Sequence, residues 1–345
     1  MRQPYQRHHH RRPTYPQFHS MRQKPRRWPL VLRFAKGAVH AAIVLPVLLH
    51  AIFTALIVYL DINKAGLGLP SSIVPSLSIV VGLMLVFRNQ TSYDRFWTGR
   101  NYITTIATSV RNLSRSFLTC SQPAPTEATP NPRATPAERH DTERTVRILL
   151  AVLYAVKHNL RAEWNTPSLN GPNPAATITS TKPEFSGLLP ENMRAREDEG
   201  LALPLQLTVA VESYVRRGHE RGWFHAPQAS QLTVQINTIM DAYGKLETIR
   251  HTPIPVAYLI HTRQVLALFC CVLPFAVVDE LGWYSVPIVS LVVFTLYGIE
   301  GIGSQLEDPF GYDKNDIKMD GIIEDARQEI FVLLDEWRRG GEVFK

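Results

Sequence analysis

The chain has 345 residues and carries 37 Lys and Arg against 30 Asp and Glu, a formal net charge of +7. Its mean hydropathy of −0.08 hides clumping, because long uncharged runs alternate with charged ones. Three cysteines, two of them adjacent (Cys270 and Cys271), exclude a secreted disulfide framework and a zinc site of about four ligands. Cys270 and Cys271 lie in an apolar run and read as small buried hydrophobes.

No Asp or Glu precedes Asp61, and the first 37 residues are crowded with Arg, Lys and His. Such a block suits a nucleic-acid arm, a mitochondrial presequence, or the cytosolic flank of a first membrane span. An apolar segment follows at once, so the third reading is the most economical. The histidines of "HHHRR" (His8 to Arg12) lie on a Pro-rich segment without fixed geometry and are not expected to bind metal. Residues 1–37 are therefore expected to be a basic, mostly disordered cytosolic start.

Residues 38–60 hold no full charge over 23 positions, enough at about 1.5 Å per residue to cross a hydrocarbon core of roughly 30 Å. His40, Pro46 and His50 within this first span should meet protein rather than lipid. A short loop, Asp61 to Gly68, leads to "LPSSIVPSLSIVVGLMLVF" (Leu69 to Phe87), uncharged but with four serines and two prolines. At helical spacing Ser72, Ser76, Ile79, Leu83 and Phe87 share one stripe, wet at one end and apolar in the middle. That pattern fits either helix packing through small residues or a pore lining that narrows to a hydrophobic constriction. A helix from Pro70 to Arg100 would span about 46 Å, more than a bilayer core. Its second half must then emerge into water, with Arg88 at the boundary and Tyr93, Phe96 and Trp97 beside it.

Helix continues over 101–118. The Pro-, Thr- and Ala-rich stretch 121–144 lacks an apolar period and reads as a disordered insert. Helical patterns return at 143–162, 202–218 and 228–250, with a polar loop at about 166–182, so 101–250 forms a helical cytosolic region. Two further apolar cores, Val265–Val278 and Val286–Ile299, have 14 residues each and flank the tight Asp279–Ser285 connection. They form a hairpin of third and fourth spans within 251–305, and His261, Arg263 and Glu300 must face protein, headgroups or water. The segment 306–345 is charged and ends in the amphipathic "EDARQEIFVLLDEWRR". Four spans with the basic start inside define an all-α, polytopic membrane protein.

"LVFRNQTSYDRFWTGR" (Leu85 to Arg100), with Arg88, Asn89, Asp94, Arg95 and Trp97, resembles a signature of the bestrophin family, in its prokaryote, plant and fungal branch. "TPIPVAYLIHTRQ" (Thr252 to Gln264), "LPFAVVDELGWYSVPIV" (Leu273 to Val289) and "GIEGIGSQLEDPFGYDKNDI" (Gly298 to Ile317) follow in family order. The resemblance implies a homopentamer around one axial pore that passively conducts chloride and other small anions, although some relatives prefer cations. It places an apolar neck on the second span, at Ile79 and Leu83 with Pro75 or Ser76 one turn outward, Ser72 at the entrance and Phe87 below. Aromatic neck residues of animal members are aliphatic here. A second, cytosolic constriction is implied near the start of the 228–250 helix.

Ser72 and Ser76 hydroxyls would partly replace the water around an entering anion, helped by helix N-termini near Leu69–Pro70. Arg88 and Arg95 would hold a positive potential below the neck, with Arg95 alternatively serving structurally by pairing with Asp94, Glu307 or Asp308. The acids matching the calcium clasp of animal members are Glu307, Asp308, Asp313, Asp316 and Asp320, interrupted by Lys314. Calcium needs six to eight oxygens, so no tight calcium gate is expected, and no other cofactor or metal. Neither nucleophile–base nor paired-carboxylate motifs are found, so no catalytic residues and no enzyme activity are expected. The expected partners are small anions, the lipid bilayer and further copies of the chain, not nucleic acid. A cation-selective pore or a non-conducting scaffold remain the alternatives. The plasma membrane is the expected location, with the mitochondrial inner membrane as the alternative.

Overall fold

A computed structural model describes residues 39–122, 134–163, 182–190, 193, 195–313 and 315–340. The basic start, the insert over 123–133, the loop over 164–181 and Lys314 lie outside the described residues. Those described form helices and turns without a strand, so the fold is all-α. The helices are α1 (His40–Leu60), α2 (Ile73–Cys120), α3 (Pro136–Leu160), α4 (Leu203–Glu220), α5 (Ala226–His251), α6 (Val256–Leu281), α7 (Ser285–Glu307) and α8 (Met319–Arg339). They fall into two compact units, one holding 39–99 and 249–317, the other 100–248 and 318–340. Within the C-terminal stretch the boundary between the units falls after Ile317.

The first unit carries the apolar helices. By length and composition three stretches could cross a membrane: His40–Asn63, Ile73–Cys120 and Val256–Glu307. The third contains two helices, α6 of 26 residues and α7 of 23, joined by a 3-10 turn at Gly282–Tyr284. Gly282 has φ +49°, a left-handed conformation that a side chain resists. The chain reverses there: Ser285 Oγ donates to the Val277 carbonyl at 3.2 Å, and Val289 and Val293 pack with Phe269 and Leu273. Helices of these lengths reach about 39 and 35 Å, beyond the 14-residue apolar cores, because each continues through ionisable residues.

Val81 and Leu85 of α2 join the hairpin in one cluster with Leu266, Phe269, Cys270, Leu273, Val289 and Val293. α1 packs mainly on α7, with the His40 ring 5.6 Å from Phe294 and the His50 ring 5.7 Å from Tyr297. Both histidines therefore face protein. Lipid tails are as apolar as these side chains, so van der Waals packing and small residues must hold the helices together. Gly301 supplies one such approach: a Cβ there would collide with Val39. Tyr59, Trp283 and Tyr284 are exposed near the end of α1 and the hairpin turn, as amphipathic rings at a membrane interface are.

The second unit is built around α3. Its stretch Ile148–Lys157 is buried all round, which suits the unbroken apolar run "ILLAVLYAV" at the centre of a helical body. α3 begins at Pro136, inside the 121–144 stretch read from sequence as disordered. Thr135 caps it through the Glu138 N–H, Glu138 reaches back to the Thr135 N–H, and Pro136 opens the first turn. The missing apolar period misled there, because the first two turns of α3 are mostly exposed. Phe117, Tyr214 and Phe224 fill the neighbouring core, where the buried Tyr214 hydroxyl meets Ser121 Oγ at 2.6 Å and Thr142 Oγ1 at 2.8 Å.

α8 is fastened along α3. Asp320 meets Lys157 at 3.1 Å and Arg161 at 2.9 Å, Arg139 lies over the Trp337 ring, and Arg338 pairs with Glu143. The Arg338 hydrogen bond, opposed by burial and reinforced by Arg147, holds the Glu143 carboxyl below its usual range. A carboxyl whose pKa is lower folded than unfolded stabilises above its unfolded pKa and loses that contribution as pH falls through the folded value. Glu143→Gln should therefore lower stability at pH 7 by about 1 kcal/mol or less, as for a largely solvated pair. The deficit should be smaller at pH 3, below the ordinary carboxylate range of about 4, and shrink further as pH falls through the lower folded value. Melting curves in detergent at the two pH values test this; an equal deficit at both would show that charge pairing is not its source.

Candidate ion pathway

α2 has 48 residues and no internal proline beyond Pro75 in its first turn, where no intrahelical N–H bond is lost. Turn-like bonds from Ile73 N to the Pro70 carbonyl and from Val74 N to Ser71 begin it at 3.2 Å each. At about 100° per residue its buried positions Val81, Leu85, Arg88, Ser92 and Gly99 fall within roughly 60° of one another. Ser72, Ser76, Ile79, Leu83 and Phe87 lie diametrically opposite and are all exposed. The contrast is sharp within two turns: Leu85 is 2% exposed, Ile79 70%, Leu83 54% and Phe87 59%. The chain thus leaves uncovered a stripe that begins with hydroxyls and continues as hydrocarbon.

The family-motif residues divide between the two faces. Arg88 is fully buried, its Nη1 3.1 Å from Glu300 Oε1 and its Nη2 3.8 Å from Glu307 Oε2. These are ion-pair distances without hydrogen-bond alignment. Glu300 also accepts from Arg263 Nε at 2.8 Å. Arg88 therefore does not project a positive potential along the exposed stripe; it points the other way, into carboxylates. Asn89 donates to the Leu85 and Ile299 carbonyls at 3.0 and 3.1 Å. Gly303 admits this contact, since a Cβ there would stand 3.3 Å from the Asn89 amide oxygen.

Asp94 is exposed and accepts from Gln90, and Trp97 is exposed on the same side. Arg95 makes no salt bridge with Asp94; its three bonds go to the backbone carbonyls of Glu307, Thr252 and Ile249, while the Glu307 and Asp308 carboxylates act on it through charge. Glu300 and Arg263 form part of the charge network that sequence reasoning did not assemble. Its signal was legible, namely full charges inside apolar runs, but their partners lie more than 200 positions away in the case of Arg88.

The acids matched to a calcium clasp are engaged separately. Glu307 faces Arg88, Asp308 meets Arg250 at 3.1 Å, and Asp316 Oδ2 accepts from the Asp313 N–H at 2.7 Å. Asp320 pairs with Lys157 and Arg161. Among the described residues no three His, Cys, Asp or Glu side chains gather as metal ligands. Val234 is a large apolar side chain exposed on α5.

Removing one partner of a buried ion pair leaves the other charge uncompensated, which costs roughly 3–5 kcal/mol. Arg88→Met is expected to lower the melting temperature and yield of the assembled protein by that scale. Leu83→Ala, on the uncovered face, should lose far less. Equal melting of Arg88→Met and wild type would remove the buried network from the account of stability.

The model of the bacterial and fungal bestrophin proteins matches residues 19–332. A Synechocystis protein named as a voltage-dependent anion channel-forming protein is 33% identical over 325 residues, 93% of this chain and 97% of its own length. A Nostoc protein of the same description is 32% identical over 297 residues, 86% and 88% of the two chains. A crystal structure of a bacterial bestrophin homolog from Klebsiella pneumoniae superposes with a TM-score of 0.69 at 24% identity, covering 85% of this chain and 98% of that one. The likeness therefore runs through both units and the motif on α2, and this chain belongs to the bacterial and fungal bestrophin family.

Proposed function

We propose that this integral membrane protein is an anion channel in which the α2 helices of five subunits surround one axial pore. α1, the first half of α2, α6 and α7 would be the four spans, with the second unit in the cytosol. The observation that carries this reading is the uncovered face of α2. Lipid would accept Ile79 and Leu83 but gives nothing to the hydroxyls of Ser72 and Ser76 in line with them. Repeated around an axis, the stripe becomes a wet entrance above a short apolar ring.

Conduction needs no bond chemistry, and the reading assigns no catalytic residue and no cofactor. Ser72 and Ser76 replace part of an anion's hydration, and the start of α2 carries the positive pole of a long helix. Ile79 and Leu83 form the neck, where a ring without polar groups wets and dewets. Phe87 lies below it. Arg88 and Arg95 are engaged elsewhere, so the attraction for anions rests on these uncharged donors. The relatives' description as voltage-dependent makes voltage the first gating stimulus to try. The plasma membrane is the proposed location, and cleavage of an N-terminal fusion would move it to the mitochondrion.

One observation favours a cation-selective pore as the second reading. The Asp279 carboxylate lies against Gly68, two residues before Pro70, where it opposes the positive end of α2. Bilayer recording of the purified protein under a KCl gradient separates the two. An anion channel reverses near the chloride potential, and Leu83→Ala raises its conductance or alters its rectification, while Asp279→Asn strengthens the anion preference. Reversal near the potassium potential would select the cation reading. Insensitivity of the current to both Leu83→Ala and added bulk at Ile79 would take the stripe out of the pore.

A further inference from the structure

α5 ends where "HTPIP" (His251 to Pro255) begins, for a local reason. Pro253 has no N–H to give the Ile249 carbonyl, and the residue before each proline is pushed out of helical conformation. α7 ends in the same manner, because Asp308 precedes Pro309. Two helices thus finish with carbonyls that their own chains do not satisfy in the helical way.

One side chain serves both ends. Arg95 Nη2 donates to the Ile249 carbonyl at 2.6 Å, Nη1 to Thr252 at 2.7 Å and Nε to Glu307 at 3.1 Å. A cation at a helix C-terminus is favoured by the dipole, and here it meets two such termini at once. Only a planar guanidinium directs several N–H groups to fixed positions; an ammonium is a single point of donation. Arg250 and Asp308, 3.1 Å apart, tie the same two ends to each other. Arg95 stands three turns along α2 from Leu83, about 18 Å, and two turns from Arg88. Its three bonds fix the rotation and axial position of α2 against the α5–α6 joint and the end of α7.

We infer that Arg95 is a gating residue of the pore proposed above: it makes the position of the neck helix follow the proline-broken joint between α5 and α6. Movement of that joint then turns or shifts α2, and with it Ile79 and Leu83. The residue acts through position, not through its charge on the ion. Its role rests on the channel reading, but its signature is distinct from that of a pore-lining cation.

The test uses the full-length reconstituted protein, with wild type recorded first and Arg95→Lys and Arg95→Gln beside it. Losing one charge-assisted bond that differs between the open and closed positions of α2 should change the open-to-closed ratio or its voltage dependence by about tenfold or more. Arg95→Lys should fall between Arg95→Gln and wild type. Reversal potential and unit conductance should stay those of wild type. A shifted reversal potential would overturn the inference in favour of a pore charge. Unaltered gating in assembled variants would overturn it in favour of a simple helix cap.

Should Arg95→Gln not assemble, Pro253→Ala approaches the same joint from the other side by returning an N–H that competes for the Ile249 carbonyl. Combined with Arg95→Lys its effect on gating should be less than additive, and full additivity would sink the coupling. A wild type that does not conduct counts against the channel reading alone, and amide exchange then decides. Arg95→Lys must speed exchange over 249–258 and 307–311 together; faster exchange in only one of the two stretches would overturn the inference.

Discussion

A guanidinium with no access to water must be answered by protein, and Arg88 is in that position. It lies between the Glu300 and Glu307 carboxylates on the face of α2 that packs against the α6–α7 hairpin. Once that residue is committed, the resting rotation of the helix is set. Leu85 and Val81 follow it into the apolar cluster, and Asn89 beside it finds the Ile299 carbonyl. The opposite side then necessarily presents Ser72, Ser76, Ile79, Leu83 and Phe87. The uncovered stripe is thus the geometric complement of a buried charge, not an independent feature.

The same commitment explains the glycines of "GIEGIGS". Glu300 can meet Arg88 only if α7 comes close to α2, and Gly303 leaves the space beside Arg88 and Asn89. Gly301 does the same toward the chain entering α1. In water a hydrophobic driving force would tolerate looser contacts. In lipid that force is absent, and backbone proximity together with a buried pair does the holding.

Much of this was legible in the sequence, for physical reasons that differ by element. The uncharged runs of α1 and of the α6–α7 hairpin announce themselves by length, and the stripe on α2 by its 3.6-residue period. The helical body around α3 shows in the same way, from "RILLAVLYAV". What failed to show was pairing across distance. Nothing local distinguishes an arginine aimed at an ion path from one aimed at Glu300, 212 positions from Arg88. The start of α3 failed for the opposite reason: its signal is a cap, Thr135 with Pro136 and Glu138, on turns too solvated to have an apolar period. The acids after α7 looked like one cluster because they are neighbours in sequence, whereas in space Arg88, Arg250 and Lys157 each take one of them.

If both motif arginines serve structure, anion preference in a pore of this kind has to arise from weak terms. Serine hydroxyls and the positive pole of the helix attract an anion with partial charges. Asp279, close to the same helix end, opposes them with a full charge that solvent screens over a Debye length of about 8 Å. Selectivity then becomes a small difference between contributions of opposite sign. Such a balance does not hold an ion tightly, which is what passive flow requires, because an ion bound strongly at the entrance would not leave it. It also means that one carboxylate more or less near Gly68 can reverse the preference while the helices, the buried pairs and the neck stay as they are. On the proposed reading the fold would specify the path, and a few exposed side chains at its mouth would specify what takes it.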